Sequence, residues 1–203
     1  MTPAQPPSAL HLLLRQATKE PHHVLDHHPL LSSLLAPQAN LNQYGDALAA
    51  LHGMYAQTEA AILGYLQHCP DLFDYLPRRK LPALEADLHV LKRMPYAITT
   101  PCPAIDSVGA LFGMLYTVEG ATLGGQFIAR KLGTVLGDGF PRQFYTIYGD
   151  HGQSQWQAFL HCADTRCPPE QHAAAATAAV ALFSTFKAHL DTCQRPIESS
   201  VPG

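Results

Sequence analysis

Two groups of residues carry the chemistry open to this chain: a basic residue and a histidine near the start, and a run of glycines in the middle. Arg15 and His22 stand seven residues apart. On a helix they project from nearly the same face, about two turns or ~10 Å apart. An imidazole at the edge of an apolar arc, with a cation two turns along, suits a flat iron porphyrin: the ring nitrogen binds metal and the guanidinium meets a propionate. His23 points about 100° away, toward the polar side. Pro21 complicates this geometry, because inside a helix it removes one hydrogen bond and its ring meets the carbonyl of Ala17. The helix is therefore expected to kink or restart there. A restart would weaken the relation between Arg15 and His22 and favour His23 as the ligand, and His22 is the choice carried forward.

The second group is Glu119-Gly120-Ala121-Thr122-Leu123-Gly124-Gly125-Gln126. It places three glycines inside what otherwise reads as one long apolar helix from Pro103 to Leu132. Each interior glycine costs roughly 1 kcal/mol relative to alanine, so something must offset them. At about 100° per residue, Gly109, Gly113, Tyr116, Gly120 and Gly124 fall in a stripe roughly 60° wide. Such a bare surface admits either a second helix or a flat ligand, and spacing alone leaves both open. A transmembrane glycine pair does not fit, since Glu119, Gln126 and Arg130 interrupt the apolar run.

Other chemistries find less support. His22, His23, His27 and His28 could be grouped as a metal cluster, but zinc or a di-iron pair wants carboxylates or cysteines at matching turns, and Asp26 alone falls short. The five cysteines are scattered, without CxxC or CxxCH spacing, which fits neither a disulfide framework, a zinc finger nor covalent heme attachment. Net charge is -3, so no global basic field exists to hold nucleic acid or an anionic membrane. Nothing resembles a signal peptide or a membrane span, and the expected location is the cytoplasm.

The elements that must position these residues are helices. Ser8 is a cap for a helix carrying Leu10, Leu13, Leu14 and Ala17. A short helix follows around Pro29 to Leu35, and Asn40 or Asn42 opens a long one through Leu66. Residues 81 to 93 repeat the pattern, and further helices are expected over Phe140 to Tyr148, Ser154 to Cys162 and Pro168 to Cys193. No window of alternating β-branched residues competes. The chain reads as all-α, a single-domain multi-helix bundle over residues 9 to 194, with loose segments at 1 to 8 and 195 to 203.

Leu14-Arg15-Gln16-Ala17-Thr18-Lys19-Glu20-Pro21-His22 resembles the proximal-helix motif of the heme oxygenases. Gly120-Ala121-Thr122-Leu123-Gly124-Gly125-Gln126 resembles their glycine-rich distal-helix motif, closest to the bacterial, phytochrome-associated branch. Weaker similarities at Tyr44 to Leu63, at Leu84 to Leu91, at Phe144-Tyr145 through Tyr148-Gly149 and at Gly152 to Trp156 keep the family order over most of the chain.

The resemblance implies His22 as the iron ligand, Gly120 and Gly124 as catalytic residues of the helix crossing the heme face, and Gly125 beside them as a cofactor contact. Arg15 takes the place of a basic residue that meets a propionate. Arg142 is a second candidate for that contact, and Tyr116 a pocket-lining one. It implies heme b as both cofactor and substrate, cleaved with O2 and electrons from a reductase or ferredoxin to biliverdin, carbon monoxide and ferrous iron, with a bacteriophytochrome as a candidate recipient. Mammalian members carry an aspartate where this chain has Ala121. That departure sustains one alternative, a heme-binding or trafficking protein on the same scaffold. A third class, thiamin hydrolysis on a related helical fold, would need a nucleophilic cysteine in a recognisable pocket.

Overall fold

The computed structural model describes residues 6–98 and 100–194. Among them are seven α-helices and no strand: α1 (Ala9–Asp26), α2 (Pro29–Ser32), α3 (Leu41–Leu66), α4 (Leu81–Leu91), α5 (Val108–Leu136), α6 (Gly152–Arg166) and α7 (His172–Cys193). Capping chemistry sets several starts. The Ser8 hydroxyl accepts from the N–H of His11, and Asn40 forms a reciprocal capping box with Gln43. Lys92 closes α4 in the left-handed conformation.

α7 organises the bundle. Both α1 and α5 lie along it, α6 touches both of them from another side, and α3 packs on α4, α5 and α7. Tyr44 and Met54 of α3, Leu111 and Phe112 of α5, and Leu182 of α7 are fully enclosed between these layers. Pro169–Cys193 is long and apolar enough to cross a membrane by length and composition. Its apolar side chains Ala175, Leu182, Phe186 and Leu190 instead fill the core.

Four expectations change. α1 runs unbroken through Pro21, so Arg15 and His22 keep their shared face. The turn beyond the proline is held by the His22 ring against Phe183 of α7, centroids 5.5 Å apart, and by the His27 N–H closing on the His23 carbonyl at 3.2 Å. α5 begins at Val108 instead of Pro103, because the Ser107 side chain accepts from the Ala110 N–H, and it passes Gly133 to end at Gly137, where φ is +79°. Phe140 to Tyr148 is a run of turns, not a helix: the buried Asp87 carboxylate takes the N–H groups of Gln143 and Phe144 at 3.0 and 2.9 Å and ties the segment to α4. α6 spans Gly152–Arg166 and so extends beyond the Ser154 to Cys162 expected for it. Of the expected loose ends, residues 1–5 and 195–203 lie outside the described residues.

Candidate functional site

The glycine stripe of α5 divides into two parts. A Cβ added at Gly109 would strike the Gln171 carbonyl, and one at Gly113 would strike the carbonyl of Ala175. These two glycines let α7 cross α5 backbone to backbone. Further along, a Cβ at Gly120 meets only the rim of Trp156, at 3.6 Å, and at Gly124 nothing lies within 4 Å. Helix packing accounts for the first pair, whereas Gly120 faces only the Trp156 ring and Gly124 faces open space. Gly125, expected among the cofactor contacts, is buried and turned the other way, with a Cβ there falling 2.8 Å from the Tyr145 ring. Its hydrogen side chain serves packing on the 140–148 turns.

The Tyr116 hydroxyl of α5 lies near the Thr18 side chain of α1. His22 follows Thr18 by four residues on one helix, and Gly120 follows Tyr116 by four on the other. Three rings close this junction: His11 lies 6.4 Å from Tyr116 and 6.1 Å from Trp156, and Tyr116 lies 5.4 Å from Trp156, centroid to centroid. Burial, above all, holds His11 below the usual histidine range, so it presents a neutral imidazole. The charge of Arg15 is felt at both His11 and Tyr116. Arg142 is engaged elsewhere, 3.5 Å from Asp138 and over the Phe140 ring.

The His22 ring has one committed nitrogen and one open one. Nδ1 donates to Asp26 Oδ2 at 2.8 Å, one turn on, and the side chain is 54% exposed. The hydrogen bond to Asp26 is the main reason the imidazole titrates above its ordinary range. Such a carboxylate fixes the tautomer with its proton on Nδ1 and aims Nε2 outward as a more basic ligand. His22 borders an open surface depression of about 440 Å³ whose other lining residues, Lys19, Glu20, His23 and Asp26, all belong to α1. The other early histidines diverge: His23 and His27 pack against each other, tilted, at 4.2 Å between ring centroids, and His28 turns to Asp191. Among the described residues no three His, Cys, Asp or Glu side chains converge on one metal position. The free nitrogen of His22 is the one feature here that could hold a metalloporphyrin through a single protein ligand.

Four thiols are unsuited to nucleophilic work. Burial raises Cys102, Cys162 and Cys193, and Cys167 is pushed up to about 11.

Behind the glycines lies a cluster that sequence reasoning missed. Glu119 is buried and accepts from Arg78 Nη1 at 2.7 Å, from Lys80 Nζ and from the Tyr148 hydroxyl at 3.0 Å. Glu59 of α3, also buried, takes Arg79 at 3.1 Å, Tyr75 at 3.3 Å and the Leu81 N–H at 3.1 Å. Only the run Arg78-Arg79-Lys80 hinted at it. Asp26 was more legible, since its i, i+4 spacing from His22 is a helical contact distance.

Comparison with known proteins gives a consistent answer. The family model described as heme oxygenase matches residues 8–192. A heme oxygenase from Xanthomonas campestris pv. campestris (strain 8004) is 37% identical over 116 residues, which are 57% of this chain and 67% of the relative. The fold is similar to heme oxygenase from Neisseria meningitidis, solved with NO and CO bound, with a TM-score of 0.73, 20% identity and 89% of each chain covered. It is also similar to heme oxygenase-2 from Synechocystis sp. PCC 6803, solved with heme and NO, with a TM-score of 0.74, 16% identity, and 92% of this chain and 85% of that one covered.

Proposed function

Because the chain belongs to the heme oxygenase family, we propose that it cleaves heme b oxidatively to biliverdin, carbon monoxide and ferrous iron, using O2 and electrons from a reductase or ferredoxin. Residues 9–194 form the unit that does so. When bound, heme supplies both the iron that activates O2 and the ring that is oxidised. The remaining work falls to this chain's residues.

His22 holds the metal through Nε2, and Asp26 keeps the proton on Nδ1 and the ring in one orientation. As a neutral ligand, made more basic by Asp26, the imidazole would still donate less charge to the metal than a thiolate. Arg15 neutralises a propionate. Gly120 and Gly124 leave room for backbone and water close to the ring face, where a side chain would block oxygen. Ala121 is exposed and supplies no acid, so water at the site must be ordered by backbone and by neighbouring hydroxyls. Cytoplasmic location, bacterial origin and delivery of the bilin to a bacteriophytochrome belong to the same proposal. They are supported by the phytochrome-type glycine motif and by a bacterial relative.

The observation that carries the site is the His22–Asp26 pair with its free second nitrogen. Heme titration followed by the Soret band tests it: His22→Ala loses the native ligation spectrum and His23→Ala keeps it. The reverse result moves the ligand by one residue. Adding ascorbate or a reductase with oxygen to the wild-type complex is expected to bleach the Soret band as a broad red bilin band grows. An unchanged spectrum points to the carrier reading.

A further inference from the structure

The open glycine segment has a fixed back. Gly120 and Gly124 look outward with no packed neighbour beyond Trp156, and a helix with bare glycines on one face is locally soft. The opposite face is held at three points. Glu119, the residue before Gly120, is clamped by Arg78, Lys80 and Tyr148. Gln126 Nε2 donates to the Gly149 carbonyl at 2.6 Å. Gly125 rests against Tyr145. On a helical wheel Glu119 and Gln126 are seven residues apart and share one side, about 100° to 160° from the two open glycines. All three anchors reach the 145–149 segment, and the first extends to the 78–80 segment at the start of α4.

We infer that Glu119 and Gln126 are positioning residues that set where the glycine segment of α5 stands over the heme, acting through the Arg78, Lys80 and Tyr148 clamp. Neither residue touches the ligand face. Lys80 is only 1% exposed and Glu119 is fully enclosed, and burial lowers the Lys80 ammonium against the pull of Glu119. Two enclosed opposite charges hold one geometry because separating them would leave buried charge uncompensated. Tyr148 spans the pair, donating to Glu119 and accepting from Lys80 Nζ at 3.1 Å. The clamp therefore transmits a fixed height to Gly120, and Gln126 does so two turns later. Placement matters because a small misplacement of groups around a reacting centre lowers the rate without altering binding.

The inference rests on the proposed heme site, and its test separates the two. Amide hydrogen exchange is read by segment in the heme-free protein for Tyr148→Phe, Gln126→Ala and Glu119→Gln. The expected result is exchange faster by roughly tenfold or more over residues 120–126, with 109–116 and α7 unchanged. Unchanged exchange at 120–126, or equal acceleration throughout α5 and α7, overturns the inference, since the second pattern marks general loss of stability. If Glu119→Gln fails to fold, the two milder variants decide. In the heme-loaded protein the same variants are expected to lower kcat for biliverdin formation with KM for heme unchanged. A rise in KM alone also overturns it. If the wild-type chain takes up no heme, the function proposal fails while the exchange pattern still decides this one.

Discussion

One helix uses the same residue type for two opposite purposes. In the first half of α5, Gly109 and Gly113 are spent on a close crossing, with the backbone of α7 where their side chains would be. In the second half, Gly120 and Gly124 meet almost nothing, and the helix is braced from behind. An interior glycine marks where something approaches closely, and only the neighbouring helix reveals whether that something is the protein itself. The two halves should therefore respond in opposite ways to an added side chain.

The largest effect is expected at Gly113→Leu. The new side chain has no place except the α7 backbone, and overpacking of this kind costs about 3 kcal/mol or prevents folding. Urea denaturation checks it, and a stable variant would mean that α7 can move aside. Gly120→Leu and Gly124→Leu should keep the fold, judged by circular dichroism, yet lower biliverdin formation by roughly 10- to 100-fold, or about 1.4 to 2.7 kcal/mol. Normal turnover in both would erase the distinction between the halves. Asp26→Asn removes the carboxylate behind the ligand. Heme affinity should fall by roughly tenfold, with thermal stability unchanged.

Gly124→Ala sharpens the comparison further. With open space around it, the alanine should stabilise the helix by up to about 1 kcal/mol, whereas Gly113→Ala should destabilise, as paired melting curves would show.

Acidity separates two of the histidines of α1, His11 and His22. Burial holds His11 below the usual value of 6.5, as it does His28 and His189. The unfolded chain therefore takes up protons that the folded one refuses, and stability is lost as pH falls below about 6.5. His22 is raised by Asp26. Its own contribution is present below about 6.5 and fades as pH climbs through the raised value. Heme must displace its proton, so affinity should weaken on acidification from somewhat above 6.5. Melting temperature and Soret titration across pH 5 to 8 read the two trends.

Much of this was legible in the sequence, for local reasons. Ser8, Asn40 and the period of leucines mark helices because caps and amphipathic spacing act over a few residues. Ser107 was a cap of the same kind, overlooked beside the prolines before it. Phe140 to Tyr148 misled because its pattern is helical but its N–H groups go to Asp87, more than fifty residues earlier. The pairing of His22 with Asp26 follows from i, i+4 spacing. The clamp on Glu119 does not, since Arg78, Lys80 and Tyr148 reach it only through the tertiary fold. Gly125 resisted for the same reason: a single motif held two outward glycines and one inward, and only Tyr145 tells them apart.

The unbroken passage of α1 through Pro21 has its own consequence. Proline has no amide hydrogen, so the Ala17 oxygen lacks its customary donor and the ladder of α1 is short by one rung just before His22. The turn that carries the imidazole and the carboxylate therefore owes its placement less to the backbone ladder than to the seat of the His22 ring on Phe183 of α7.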